Sequence, residues 1–157
     1  MANDIDWAEK IWPLGWTRAH VAAQKGTLPT GFDRWELTDI DGWTVAHEAV
    51  RIGTLPKGFD QWDLADNNGW TVAHQAVESG GFLPEGFDRW KLATKDGITV
   101  AHTAAIFDRL PNGFTGWHLR DRHGVTVLQL IHQILNMPPE YAEGLKAGTL
   151  SRAMGNV

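Results

Sequence analysis

The sequence predicts a mainly α solenoid of four to five short helix–turn repeats closed by terminal caps, and three observations predict it. First, the stretch Asp41-Gly42-Trp43-Thr44-Val45-Ala46-His47-Glu48-Ala49-Val50 has near-copies opening at Gly15, Gly69 and Gly97, and a weaker copy at Gly124. Second, the histidines inside the copies, His20, His47, His74 and His102, stand 27, 27 and 28 residues apart. Third, the tryptophans later in each copy, Trp35, Trp62, Trp90 and Trp117, stand 27, 28 and 27 apart. A fixed period of this length means stacked supersecondary units, each leaning on its neighbours.

Taken in order, residues 1–14 form an N-cap, in which Ile5-Asp6-Trp7 echoes Phe32-Asp33-Arg34-Trp35 in reduced form and Trp12-Pro13-Leu14 follows. A solenoid end has a face with no neighbour, which a divergent unit covers. The repeats are expected at 15–41, 42–68, 69–96 and 97–123, the third carrying one extra residue at Gly80-Gly81, all in a single repeat domain. The turns ending at Gly42, Gly69 and Gly124 read Asp-x-x-Gly, where glycine supplies a positive φ without steric cost. Thr44 stands where an N-cap belongs, Val45 to Val50 give the Ala-rich body of a helix, and Gly26, Gly53 and Gly80 stand as C′ glycines. A helix of about nine residues is too short to be stable alone, so its stability comes from stacking.

The second half of each unit reads Leu-Pro-x-Gly-Phe-Asp-x-Trp-x-Leu. Phe59 and Trp62 are three apart and Trp62 and Leu64 two apart, so the spacing predicts a short turn of helix passing into an extended link. The recurring rings predict aromatic ladders through the core. Residues 124–157 read as a divergent repeat and C-cap. Met137-Pro138-Pro139-Glu140-Tyr141 falls where Leu55-Pro56-Lys57-Gly58-Phe59 falls, the histidine reads as Leu128 and the tryptophan as Gly144. Val127, Leu128, Leu130, Ile131, Ile134 and Leu135 predict an apolar terminal helix wedged against the stack.

At 157 residues, 43% hydrophobic and 21% charged, the chain belongs with soluble globular proteins. Its nine tryptophans mostly follow the period and need one explanation per repeat. The absence of cysteine excludes disulfides, thiolate metal sites and a thiol nucleophile. A net charge of −5 argues against direct nucleic-acid binding, which rests on Lys and Arg displacing counterions from phosphates. The acidic start, Asp4-Ile5-Asp6, and the lack of a long apolar run predict an unexported, cytoplasmic chain that does not enter membranes.

Asp-x-x-Gly-x-Thr-x-x-His-x-Ala-Ala-x-x-Gly resembles the first half of an ankyrin repeat, with Asp39, Gly42, Thr44, His47, Ala49 and Gly53 as matching positions and partial copies in the other units. Two features depart from that pattern. Valine or arginine replaces the proline usual after the threonine, and the unit has 27 residues because Leu-Pro-x-Gly-Phe stands where the second helix should be. The resemblance implies an ankyrin-like helical solenoid with turns projecting along one edge, and a recognition surface made of turns and first helices. It also implies that His20, His47, His74 and His102 are structural, each bonding its own threonine and an adjacent carbonyl. Stacked equivalents lie about 10 Å apart, too far to share one zinc ion. His118, His123 and His132 lie outside the period and read as solvated or local, so neither metal nor cofactor is expected.

Trp35, Trp62, Trp90 and Trp117 are expected in the core. Trp16, Trp43 and Trp70, continued by Ile98 and Val125, occupy a position that such repeats leave variable, and form either an exposed partner-binding stripe or rings packed over the neighbouring turn. Contact positions carried over from the resemblance are Ile40, Asp41, Asn67, Asn68, Lys95, Arg122 and His123 in the turns. At the helix ends they are Gln24, Lys25, Arg51, Ile52, Glu78, Ser79, Ile106 and Phe107. No phosphate-cradling loop, nucleophile–base pair or acid pair stands at recognisable spacing. The expected function is therefore a non-catalytic protein–protein interaction module, in its more specific form a small inhibitor or effector that blocks a target. The alternative is a Trp-lined glycan or nucleobase binder. The expected partner is another protein, and the chain is a monomer or homodimer.

Overall fold

A computed structural model describes residues 4–137 except 12 and 82, together with residue 139. Five short helices follow one another: α1 (Arg18–Lys25), α2 (Val45–Ile52), α3 (Val72–Ser79), α4 (Val100–Ile106) and α5 (Val127–Leu135). Each packs on the helix before and the helix after, so the chain is a helical solenoid. Among the described residues no helix is long and apolar enough to cross a membrane. Trp12, Pro138, Glu140, Tyr141, Gly144 and the expected C-cap beyond lie outside the described residues.

The helices begin where a threonine can accept from a free N–H of the first turn. Thr17, Thr44, Thr71, Thr99 and Thr126 are the N-caps, all in extended backbone. α1, α2 and α3 end on Gly26, Gly53 and Gly80 in the left-handed region. α4 has no such glycine. Asp108 takes the positive φ, 54°, while Phe107 closes the helix and carries the Arg109 guanidinium 5.6 Å over its ring.

The second half of the unit differs from expectation. Among the described residues of the first four units, no turn of helix forms there. Phe59 N–H donates to Pro56 O at 3.1 Å across a β-turn whose third residue, Gly58, has φ 87°, as type II turns require. The same turn recurs at Phe32, Phe87 and Phe114. A proline at its start followed by a left-handed glycine commits four residues to a turn and stops a helix from propagating. A second turn brings Leu64 N–H to Gln61 O, and single antiparallel bridges such as Ala65 with Thr71 close the loop back on the next helix.

These loops hold the aromatic ladder. Phe32 meets Trp35 edge-to-face at 5.0 Å, Trp35 meets Phe59 at 5.7 Å, and the alternation runs on through Trp62, Phe87, Trp90 and Phe114 to Trp117. Trp7 joins at the other end, 5.6 Å from Phe32. Every interplanar angle is between 80° and 90°, the T-shaped geometry that ring quadrupoles favour. Trp35 and Trp62 are buried and Trp90 is half-buried, but Trp117, expected in the core, is 40% exposed. Among the described residues its ladder neighbour is Phe114, and Tyr141, one period beyond Phe114, lies outside them.

Two readings of the fifth unit are corrected. The residue at the histidine position is Gln129, not Leu128: Gln129 Oε1 accepts from Thr126 N–H at 2.8 Å, and Leu128 is 47% exposed. α5 is also less enclosed than a wedged helix, with Val127 buried, Leu130 and Ile131 packed against the smaller core cluster, and Leu135 78% exposed.

The turn glycines separate two kinds of requirement. Gly58 has open space around a hypothetical Cβ, whereas at Gly69 that atom would lie 2.8 Å from Lys95 N and 3.1 Å from the Thr94 carbonyl carbon of the next unit. Gly58→Ala should therefore lose only the left-handed penalty, roughly 1–2 kcal/mol. Gly69→Ala should lose roughly 3 kcal/mol or more, because a neighbouring backbone must also move. Urea denaturation of the two variants compares them directly; equal losses would mean that the turns are not in contact.

Candidate functional site

Beneath the turns lies a repeated hydrogen-bond relay. In α2, Thr44 N–H and Thr44 Oγ1 approach His47 Nδ1 at 3.2 and 2.7 Å, while His47 N–H donates back to Thr44 Oγ1 at 3.2 Å. The histidine is thus the second member of the capping box. Because Nδ1 receives a backbone N–H, it carries no proton, and the proton sits on Nε2, which donates to Trp70 O at 2.9 Å in the next unit. His20 reaches Trp43 O, His74 reaches Ile98 O and His102 reaches Val125 O in the same way, at 2.9–3.0 Å. Each imidazole is saturated by one acceptor and one donor role, which leaves no ring nitrogen for a metal ion or a proton transfer.

Over this relay lies the tryptophan row. Trp43 stacks on the His47 ring at 4.6 Å, Trp70 lies 4.9 Å from His74, and Trp16 lies 5.8 Å from His20. The rings shield the imidazoles from water. Burial pushes His47 and His74 down to about 4 and lowers His20, and the accepting carbonyls recover only part of that. Under the turns, Asp39 accepts from the N–H groups of Asp41 and Trp43, and Asp66 from those of Asn68 and Trp70. Burial nevertheless raises both carboxyls.

The row is not a uniform exposed stripe. Trp70 is 2% exposed, and its Nε1–H donates to Gln75 Oε1 at 3.1 Å. Trp16, Trp43 and Ile98 are half-buried. Of the other residues carried over as contacts, Ile106 and Glu78 are buried and Phe107 is half-buried. Ile40, Asn67, Lys25, Arg51 and Ile52 are exposed, Ile40 at 55% and Ile52 at 41%. Ile40 and Asn67 meet at the turn tips, where Asn67 Nδ2 donates to Ile40 O at 3.1 Å. Arg51 is held across one helical turn by Glu48, at 2.6 and 3.1 Å. Lys25, Arg51 and Ile52 belong to helix ends.

Sequence reasoning missed Glu48 and Gln75. They follow the periodic histidines by one residue and are buried polar side chains on the helix face. Their only signal was variability, Val21, Glu48, Gln75 and Thr103 at one repeat position.

Comparison with known proteins adds one finding. No family model matches the chain, and no curated protein matches it. Among solved structures it is similar to the ankyrin repeat domain of Bcl-3, described there as a unique member of the IkappaB protein family, with 21% identity and a TM-score of 0.53. The fold is an ankyrin-like repeat solenoid. The match covers 75% of this chain and 64% of that one, so the chain spans less than two thirds of that ankyrin domain.

The relay makes stability depend on pH. A histidine whose folded pKa lies near 4, against an ordinary value of 6.5, stabilises the fold fully above pH 6.5 and loses that contribution as pH falls towards 4. Each ring then carries roughly 3 kcal/mol. Glu78 opposes this. Burial pushes its carboxyl up to about 7, so the folded state loses stability as pH rises from the ordinary 4.5 through 7. Urea midpoints should therefore fall between pH 7 and pH 4, with net proton uptake on unfolding. Glu78→Gln should unfold at higher urea than the parent at pH 8 and show a steeper acid loss. A flat profile would mean that the imidazoles are hydrated.

Proposed function

We propose that the chain is a single non-catalytic repeat domain that binds another protein through the edge formed by its turn tips and helix ends. The observation that carries this reading is the division of labour within each unit. Thr, His, Phe and Trp recur because the relay and the ladder need them, while the exposed side chains of Ile40, Asn67, Lys25, Arg51 and Ile52 differ from unit to unit and take no part in either. Exposed Ile40 at a turn tip and exposed Ile52 next to Arg51 at a helix end give the apolar anchors and polar rim that protein interfaces use. The ankyrin-like fold supports the same reading, since its turns lie in one row. A small inhibitor or effector, blocking its target by covering a surface, is a more specific form that the size and acidity of the chain permit. The glycan or nucleobase reading needs free aromatic faces, whereas Trp70 is covered and Trp43 lies on His47.

Replacing Ile40 and Ile52 together by Asp should leave the urea midpoint nearly unchanged, within roughly 0.5 kcal/mol, because both side chains are already solvated. The same variant should lose a partner that the parent retains in affinity capture from its native host, read by mass spectrometry. Retention of that partner would place the binding surface elsewhere. Trp70→Ala, by contrast, should lower stability, since it empties a buried ring site and strands Gln75 Oε1.

A further inference from the structure

Glu78 is the penultimate residue of α3 and only 9% exposed, yet its Oε1 has no hydrogen-bond partner among the described residues. No other buried side-chain oxygen or nitrogen among them is left this way. A carboxylate oxygen left unpaired in such a place costs stability, and the scaffold does not demand it: the same repeat position holds Gln24, Arg51, Ile106 and Gln133.

Its polar neighbours are largely committed to other groups, and none bonds Oε1. On α2, Glu48 is even more buried but has Arg51 on both its oxygens. On α3, Gln75 stands where Glu48 stands and is occupied by Trp70 Nε1 and by Ser79 Oγ at 2.7 Å. α4 offers Ile106 and Thr103, whose hydroxyl donates to Thr99 O. The one cation nearby, Arg109, gives its Nη1 to the main-chain carbonyls of Val77 and Glu78 rather than to the carboxylate. Burial pushes the carboxyl up to about 7, although a Gln75 hydrogen bond and the Arg109 charge act to lower it. Ser79 and Gly80, which follow it at the end of the helix, are exposed.

We infer that Glu78 is the seat for an arginine or lysine side chain of a protein partner that docks across α2, α3 and α4. The incoming cation supplies the donors that Oε1 lacks, as Arg51 does for Glu48, and an acidic chain of net charge −5 favours a basic partner segment. Pairing requires the ionised carboxylate, so binding releases a proton and tightens as pH rises through 7.

This rests on the protein-binding reading above, and the test separates the two. A random peptide library is selected on the full chain and counter-selected on Glu78→Gln, whose urea midpoint confirms its fold. Peptides lost on Glu78→Gln should share an Arg or Lys. Replacing that residue by citrulline or norleucine should weaken binding at least tenfold at pH 8, and the bound peptide should lower the pKa of the Glu78 carboxyl, followed by carbon-13 NMR, by one unit or more. Selected peptides that bind Glu78→Gln as well as the parent, or that lack a required cation, overturn the inference. If such peptides are nevertheless lost with the Ile40/Ile52 variant, the interaction-module reading stands without it. A library that yields no binder to the parent overturns both.

Discussion

The bond from His Nε2 to the carbonyl of the next unit is the constraint on which the rest of the molecule depends. It spans 23 or 24 residues and ties each helix N-terminus to the turn that follows it in the stack. The same imidazole closes the capping box of its own helix through Nδ1. A helix of eight residues gains little from its own hydrogen bonds, so one side chain that both starts the helix and fastens it to its neighbour matters more than propensity does. The arrangement works only with neutral rings. A proton on Nδ1 would face the threonine N–H, donor against donor.

A second constraint acts on the far side of the helices. Where a full ankyrin unit would place another helix, this chain has two turns and a pair of rings. The edge-to-face series from Trp7 to Trp117 supplies burial that an outer helix layer would otherwise provide, with each ring touching one ring of its own unit and one of the next. The helices pack chiefly on Ala and Val, whose short side chains allow close approach, while the bulk is concentrated in the loops. Stability in such a stack is a sum over neighbours, and both systems of contact run along the same axis.

Much of this was legible in the sequence because repetition amplifies weak signals. One Thr-x-x-His pair says little, but five threonines at helix starts, four followed by histidine and the last by glutamine, define a device. The C′ glycines and the aromatic ladder were readable for the same reason. The turns in Leu-Pro-x-Gly-Phe were not. Proline begins helices and turns alike, and only the left-handed φ of Gly58 decides between them. The Gln129 position was misread because its unit diverges, although glutamine can imitate the inward half of a histidine through Oε1. The candidate surface was legible only as variability. Whether a variable position faces water depends on neighbours from three units, which is why Trp70 and Ile106 lie inside while Ile40 and Ile52 do not.

The relay always runs one way, from a ring in one unit to a carbonyl in the next, so the array has a direction. The Trp16 carbonyl accepts the Ile11 N–H at 2.9 Å, the counterpart of the Asp39 N–H that the Trp43 carbonyl accepts at 3.0 Å alongside the His20 ring. At its last described unit, glutamine replaces the ring that would reach onward. Removing one whole period would present His20 with a carbonyl equivalent to the one it lost, so the number of interior units is free to change by duplication and deletion with the relay intact.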